Sequence, residues 1–217
     1  MAVNSNIISD VTDGSEYIRV NYLEREGGRG PFDLTLIMNT DGISLMKSSK
    51  ASFWPLMFTI AELPPYIRNS FIVIFGLWYD NCKPTMNTFL HPFSIKLQKC
   101  FEHGVTWIHP ENNETFISKV VAPIIIADAP ARAQILNQVN FNGRYGCNIC
   151  EIKSKKSNSL HNSKRRTRIY PFEDILCLRT DARMKSQGKK AVVENKSIRG
   201  MKGLTIMASF PFVNLAT

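Results

Sequence analysis

Two apolar runs, each closed by a single aspartate, constrain this chain most. LTLIMNTDG carries Asp41 at the end of a strand-like stretch, and VVAPIIIADAP carries Asp128 in the same position. Gly42 or Pro130 then turns the chain away. Two strand-end carboxylates set side by side in a sheet make a site for a hard divalent cation such as Mg2+. Such a cation can activate water or a hydroxyl for attack on phosphate. The plainer reading is that each aspartate merely opens a turn, a common use of this residue.

The partner follows from the charge. A formal net charge of +9 and a pI near 9.4 favour a polyanion, with nucleic acid first and an anionic membrane face second. A hydrophobic content of 44% over 217 residues supports a real core and excludes wholesale disorder. No apolar run approaches the roughly 18 to 20 residues that span a bilayer, so no membrane segment is expected. The opening MAVNSNIISDVTDGSEY lacks the basic and apolar regions of a secretory signal. Five cysteines, odd in number and unevenly spaced, argue against a disulfide framework.

Along the chain, residues 1–30 read as a polar leader and linker ending in EREGGRGP. Residues 31–146 hold the apolar half. LTLIMNT reads as a strand and FWPLMFTIA as a second, broken at Pro55. ELPPYIR reads as a turn, because paired prolines disfavour helix. FIVIFGLWY is dense in β-branched and aromatic residues and reads as a third strand. Phe89, Phe93, Leu97 and Phe101 recur at helical spacing, with Pro92 near the start and Gly104 as a cap. VVAPIIIAD is the next strand and ARAQILNQV the next helix. This order suggests an α/β class, a mixed sheet with flanking helices, and is compatible with an RNase H-like sheet. Residues 147–217 open on a stretch, to about Lys202, that is basic and poor in apolar runs, with KSKK, SKRRTR and QGKK. It reads as a solvated loop or as an insertion resting on a phosphate backbone.

With these motifs in place the chain resembles the transposase domain of CACTA/En-Spm-like cut-and-paste elements of animal genomes. The resemblance runs in order through NTDGISLMKSSKASFWPL, ELPPYIR, GLWYDNCKPTMNTFLHPF, IADAPARAQIL, FNGRYGCNIC, TRIYPFED and IRGMKGLTIMASFPF. It implies a DDE-type core on an RNase H-like fold, with Asp41 and Asp128 as the first two acidic positions. They would hold Mg2+ or Mn2+ for cleavage and joining of DNA phosphodiesters. The third carboxylate of such enzymes lies on a later helix, and the resemblance stops at SFPFVNLAT. The expectation is therefore a partial core that binds DNA without cutting it. The rivals are a domesticated DNA- or chromatin-binding protein and a zinc-stabilised interaction module.

Cys147 and Cys150, in GCNIC, are half of a tetrahedral zinc site, or else a reduced or redox pair in a turn. The resemblance places a metal-binding insertion here, which favours Zn2+. His161 is the nearest further ligand, while Cys177, flanked by Leu176 and Leu178, is expected to be buried. Arg132, four residues after Asp128, can reach phosphate, and Lys47 and Lys50 lie beside the first aspartate. Lys164, Arg165, Arg166 and Arg168 form the densest basic cluster. The expected partners are DNA and a second copy of the chain, and the expected compartment is the nucleus.

Overall fold

The computed structural model describes residues 8–23, 29–44, 51–157 and 168–216. In chain order the elements are α1 (Ser15–Ile18), β1 (Leu34–Thr40), β2 (Ile43–Ser44), β3 (Ser52–Ile60), α2 (Pro65–Arg68), β4 (Val73–Asp80), α3 (Met86–Phe89) and α4 (His91–Glu102). There follow β5 (Val105–Ile108), β6 (Thr115–Ser118), β7 (Val120–Ile126), α5 (Ala129–Ile135), β8 (Lys155–Lys156), β9 (Arg168–Ile169) and α6 (Asp181–Val193). The fold is mixed α/β. Its contacts divide it into two units. The first comprises Met1–Cys82, Pro92–Ile126 and Phe210–Val213; the second comprises Lys83–His91, Ala127–Ser209 and Asn214–Thr217.

The first unit is built on a mixed sheet. β3 pairs antiparallel with β4 on one edge, and with β2 and β1 on the other. β7 lies on the far side of β1 and runs parallel to it. A parallel neighbour requires a crossover, and the long connection through α4 provides one. The α4 apolar stripe buries Phe93 and Leu97. Phe93 stacks on Phe58 of β3 at 4.3 Å between ring centroids, so α4 covers the Phe58 face of the sheet. On β1, Ile37 belongs to a separate buried cluster with Tyr17 of α1 and Ala61. Alternation along the strand thus feeds the core twice.

Three local expectations are corrected. Pro55 does not break its strand. β3 runs through it, because β2 pairs with residues 52–53 and β1 with residues 56–60, and Pro55 falls in the gap between these ladders. ELPPYIR is not a plain turn: Pro65 opens the short helix α2, where a missing N–H costs nothing. Within the polar opening, residues 8–23 hold helical turns whose Tyr17, Val20 and Asn21 are buried. Asn21 bonds the Tyr17 carbonyl and the Thr35 hydroxyl, each at 3.1 Å. Glu62 accepts from the Thr35 N–H at 2.9 Å, from the Tyr17 hydroxyl at 3.0 Å and pairs with Arg29 at 2.8 Å. Burial first, and Glu62 second, push the Tyr17 phenol up to about 12. The β5–β6 hairpin is an additional element, with Trp107 opposite Phe116.

The second unit contains α3, α5, α6 and the short β8–β9 pair. The basic stretch includes the 13-residue helix α6, capped by the Thr180 side chain. Met184, Gly188 and Ala191 form its buried stripe. Arg179 is the buried tie: its Nε donates to the Cys147 carbonyl at 2.9 Å, and Nη2 to the carbonyls of Tyr145 at 3.1 Å and Arg199 at 2.9 Å. Among the described residues no helix is long and apolar enough to cross a membrane.

Candidate catalytic and metal-binding site

Parallel strands deliver their ends in the same direction, and β1 and β7 do so in register. Asn39 is the partner of Ile126. Asp41 follows Asn39 by two residues, and Asp128 follows Ile126 by two. Both aspartates are exposed. Each engages Oδ1 in a local backbone bond, Asp41 from Gly42 N–H at 2.6 Å and Asp128 from Ala131 N–H at 2.7 Å. The second of these makes Asp128 the N-cap of α5. The plain structural role is therefore present at Asp128, and it occupies one carboxylate oxygen.

Gly42 is required by space rather than by a left-handed backbone. A Cβ there would lie 2.5 Å from Cζ2 of the buried Trp54 indole. Trp54, on β3, thereby holds the Asp41 turn against the sheet. Arg132 stands one helical turn after Asp128 on α5 and is exposed. Lys47, Lys50, His161, Lys164, Arg165 and Arg166 lie outside the described residues. Arg168 is half-buried on β9 and donates to the Ser154 hydroxyl at 3.1 Å, so part of its capacity is structural.

Cys147 and Cys150 approach to 3.5 Å between sulfur atoms. Two thiolates on one tetrahedral zinc at bonds of about 2.3 Å sit roughly 3.8 Å apart, so the pair fits half of such a site. The Cys150 N–H points to the Cys147 sulfur at 3.4 Å. Burial works against the Cys147 thiolate, but the N–H groups of Cys150 and Ile149, the Cys150 thiol and the Arg179 charge outweigh it and lower its pKa. Burial raises the pKa of Cys150, with Cys147 adding to the effect. Cys177 is exposed rather than buried, because Leu176 and Leu178 beside it also face outward, and Arg183 donates to its sulfur at 2.8 Å. Among the described residues no three His, Cys, Asp or Glu side chains converge as a metal site.

Sequence reading treated Arg132 and the cysteine pair as separate features. The second unit brings them to one cavity of about 520 Å3, lined also by Phe141, Tyr170 and Phe172. Tyr170 closes it by accepting the Gly146 N–H at 3.1 Å and donating to the Phe141 carbonyl at 2.7 Å. Arg179 was missed as a support of the pair. Its only sequence signal is a cation among Leu178, Cys177 and Leu176, in the apolar part of a basic region.

Compared with known families, the chain matches the one described as transposase family tnp2 over residues 5–200. No curated protein matches it.

Proposed function

The chain belongs to the tnp2 transposase family, and from that premise we propose that it is the DNA-binding part of a CACTA/En-Spm-like DDE core, with Asp41 and Asp128 as metal ligands. The observation that carries this reading is the register Asn39–Ile126, which sends both aspartate-bearing strand ends the same way within the matched region. Three antiparallel strands, a crossover helix and a parallel strand beside the first are compatible with an RNase H-like sheet.

When bound, Mg2+ or Mn2+ supplies a Lewis acid and an activated oxygen nucleophile for in-line displacement at phosphorus. The residues of the chain do the remaining work. Asp41 and Asp128 offer carboxylate oxygens, a donor type suited to these ions. Arg132 offers a fork of N–H donors to a phosphate. The exposed Lys153, Lys155 and Lys156, with the net charge of +9, hold the DNA backbone without reading its bases. Cys147 and Cys150 hold one side of a Zn2+ site that stiffens the insertion. The working compartment is the nucleus, and the functional unit is a pair of chains.

The test is a labelled DNA duplex incubated with purified protein and each metal. We expect binding that weakens steeply with salt, by about 0.9 per phosphate contact on a log–log plot. No strand cleavage is expected, because a two-metal site requires more carboxylate charge than Asp41 and Asp128 supply, and among the described residues no third His, Cys, Asp or Glu converges with them. Binding insensitive to salt contradicts the DNA reading. Cleavage lost in both Asp41→Asn and Asp128→Asn contradicts the inactivity.

A further inference from the structure

Two phenyl rings stand open at the cavity of the second unit. Phe172 is 91% exposed and Phe141 57%, and both line the space of about 520 Å3 together with Tyr170. That volume lies within the roughly 300–1,000 Å3 of small-ligand pockets. The Tyr170 hydroxyl is held by three backbone groups. It accepts from the Gly146 N–H at 3.1 Å and lies 2.7 Å and 3.2 Å from the carbonyls of Phe141 and Gly143. Its polar end is therefore engaged, and what it offers the cavity is its ring.

The polar lining narrows the class of ligand. Arg132 is exposed and stands four residues after Asp128, about 6 Å along the axis of α5. Its guanidinium suits a phosphate. Glu173, the one carboxylate of the lining among the described residues, would repel a phosphate drawn inside. The side-chain oxygen of Asn148 is buried in this wall and has no hydrogen-bond partner among the described residues. An entering N–H donor would relieve it. The lining thus fits a ligand with an anionic end at Arg132, a flat neutral body for the rings and an N–H donor. A nucleotide whose base has left the stack has all three.

We infer that this cavity takes one unpaired base of the bound DNA, next to a phosphate held by Arg132. The inference rests on the DNA reading and deepens it. Stacking on aromatic rings accepts any base, because every base has a π face. The exocyclic amino group of adenine, cytosine or guanine supplies the donor for Asn148. The 6 Å or so between Asp128 and Arg132 is between one and two nucleotide steps of about 3.4 Å. The base taken is accordingly within two nucleotides of the phosphate that faces Asp128. A base that is already unpaired is favoured, since drawing out a paired one costs stacking and pairing.

The experiment compares two end-labelled duplexes of one sequence, one fully paired and one with a single bulged cytosine, by fluorescence anisotropy over a salt series. The bulged duplex should bind roughly 10-fold tighter, the effect of one stacked base, with the same salt slope. Phe172→Ala should abolish that preference without weakening binding of the paired duplex, and Phe172→Trp should retain it. Phe172 is almost wholly exposed, so its truncation leaves the fold intact, which circular dichroism checks. Photocrosslinking with iodocytosine at the bulge gives a readout that needs no variant: the adduct should map to Phe141, Tyr170 or Phe172. Salt-dependent duplex binding with no preference for the bulge, a preference that survives Phe172→Ala, or crosslinks only elsewhere would overturn the inference and leave the DNA reading standing. Absence of any DNA binding would overturn both.

Discussion

The side-chain amide of Asn39 donates to the backbone carbonyl of Ile126 at 2.8 Å. These two residues are also register partners across the parallel β1–β7 pair. The bond ties the ends of both strands together just before each reaches its aspartate. A slip of one residue would exchange the faces of every side chain on the strand, so a pinned register matters most at this end.

The first prediction concerns acid stability. Arg68 donates Nη1 to Asp10 Oδ1 at 2.8 Å and Nη2 to Oδ2 at 2.7 Å, and also holds the carbonyls of Ala61 and Leu63. The Arg68 hydrogen bonds lower the Asp10 pKa against the opposing effect of burial. A lowered folded-state pKa means that the stabilisation is complete above the unfolded value near 3.9 and is lost as pH falls through the folded one. Asp10→Asn should therefore cost about 1–2 kcal/mol at neutral pH. In urea melts the gap to the unmodified chain should narrow below about pH 4.

The second concerns α6. A Cβ on Gly188 would lie 2.9 Å from the Gly203 carbonyl oxygen, which is backbone and does not swing aside. Alanine favours helix over glycine by about 1 kcal/mol, so a bare helix would gain from Gly188→Ala. Here the clash should win, with a net loss of about 1–2 kcal/mol in denaturant unfolding. Equal or greater stability in the variant would mean that α6 and the Gly203 segment separate readily.

The strands β1, β4 and β7, and the helices α4 and α5, were legible because their apolar residues repeat at a clear period. α4 ends, as expected, near Gly104, whose φ is +73°. α6 was hidden because its buried stripe consists of Met184, Gly188 and Ala191, two of them too small to register as apolar among four lysines and arginines. The β5–β6 strands are four residues each, too short for alternation to emerge from noise. The opening segment was misleading for a different reason: it is anchored by polar groups, Asn21 and the Glu62 network, rather than by an apolar run. At the site, both aspartates and the cysteine pair could be picked out by eye. The support from Trp54 and Arg179 could not, since each acts from a distant position in the sequence.

The third prediction is that purified protein carries about one Zn2+ per chain. Cys147→Ser with Cys150→Ser should abolish it, as read by metal analysis, and should expose the segment around Tyr170 to protease. Stoichiometric zinc that survives the double substitution would remove this pair from the site.

The central claim, that Asp41 and Asp128 serve one cation, is tested most directly by Mn2+ titration followed by electron paramagnetic resonance. Asparagine is the right replacement. At Asp128 it keeps the α5 N-cap, whereas alanine would cost about 1 kcal/mol and confuse folding with binding. If the two carboxylates share a site, Asp41→Asn and Asp128→Asn should each weaken Mn2+ binding strongly, and the double variant should be little worse than either alone. Unchanged Mn2+ affinity in both folded single variants, or independent additive losses, would contradict a shared site and leave the aspartates as turn and cap residues.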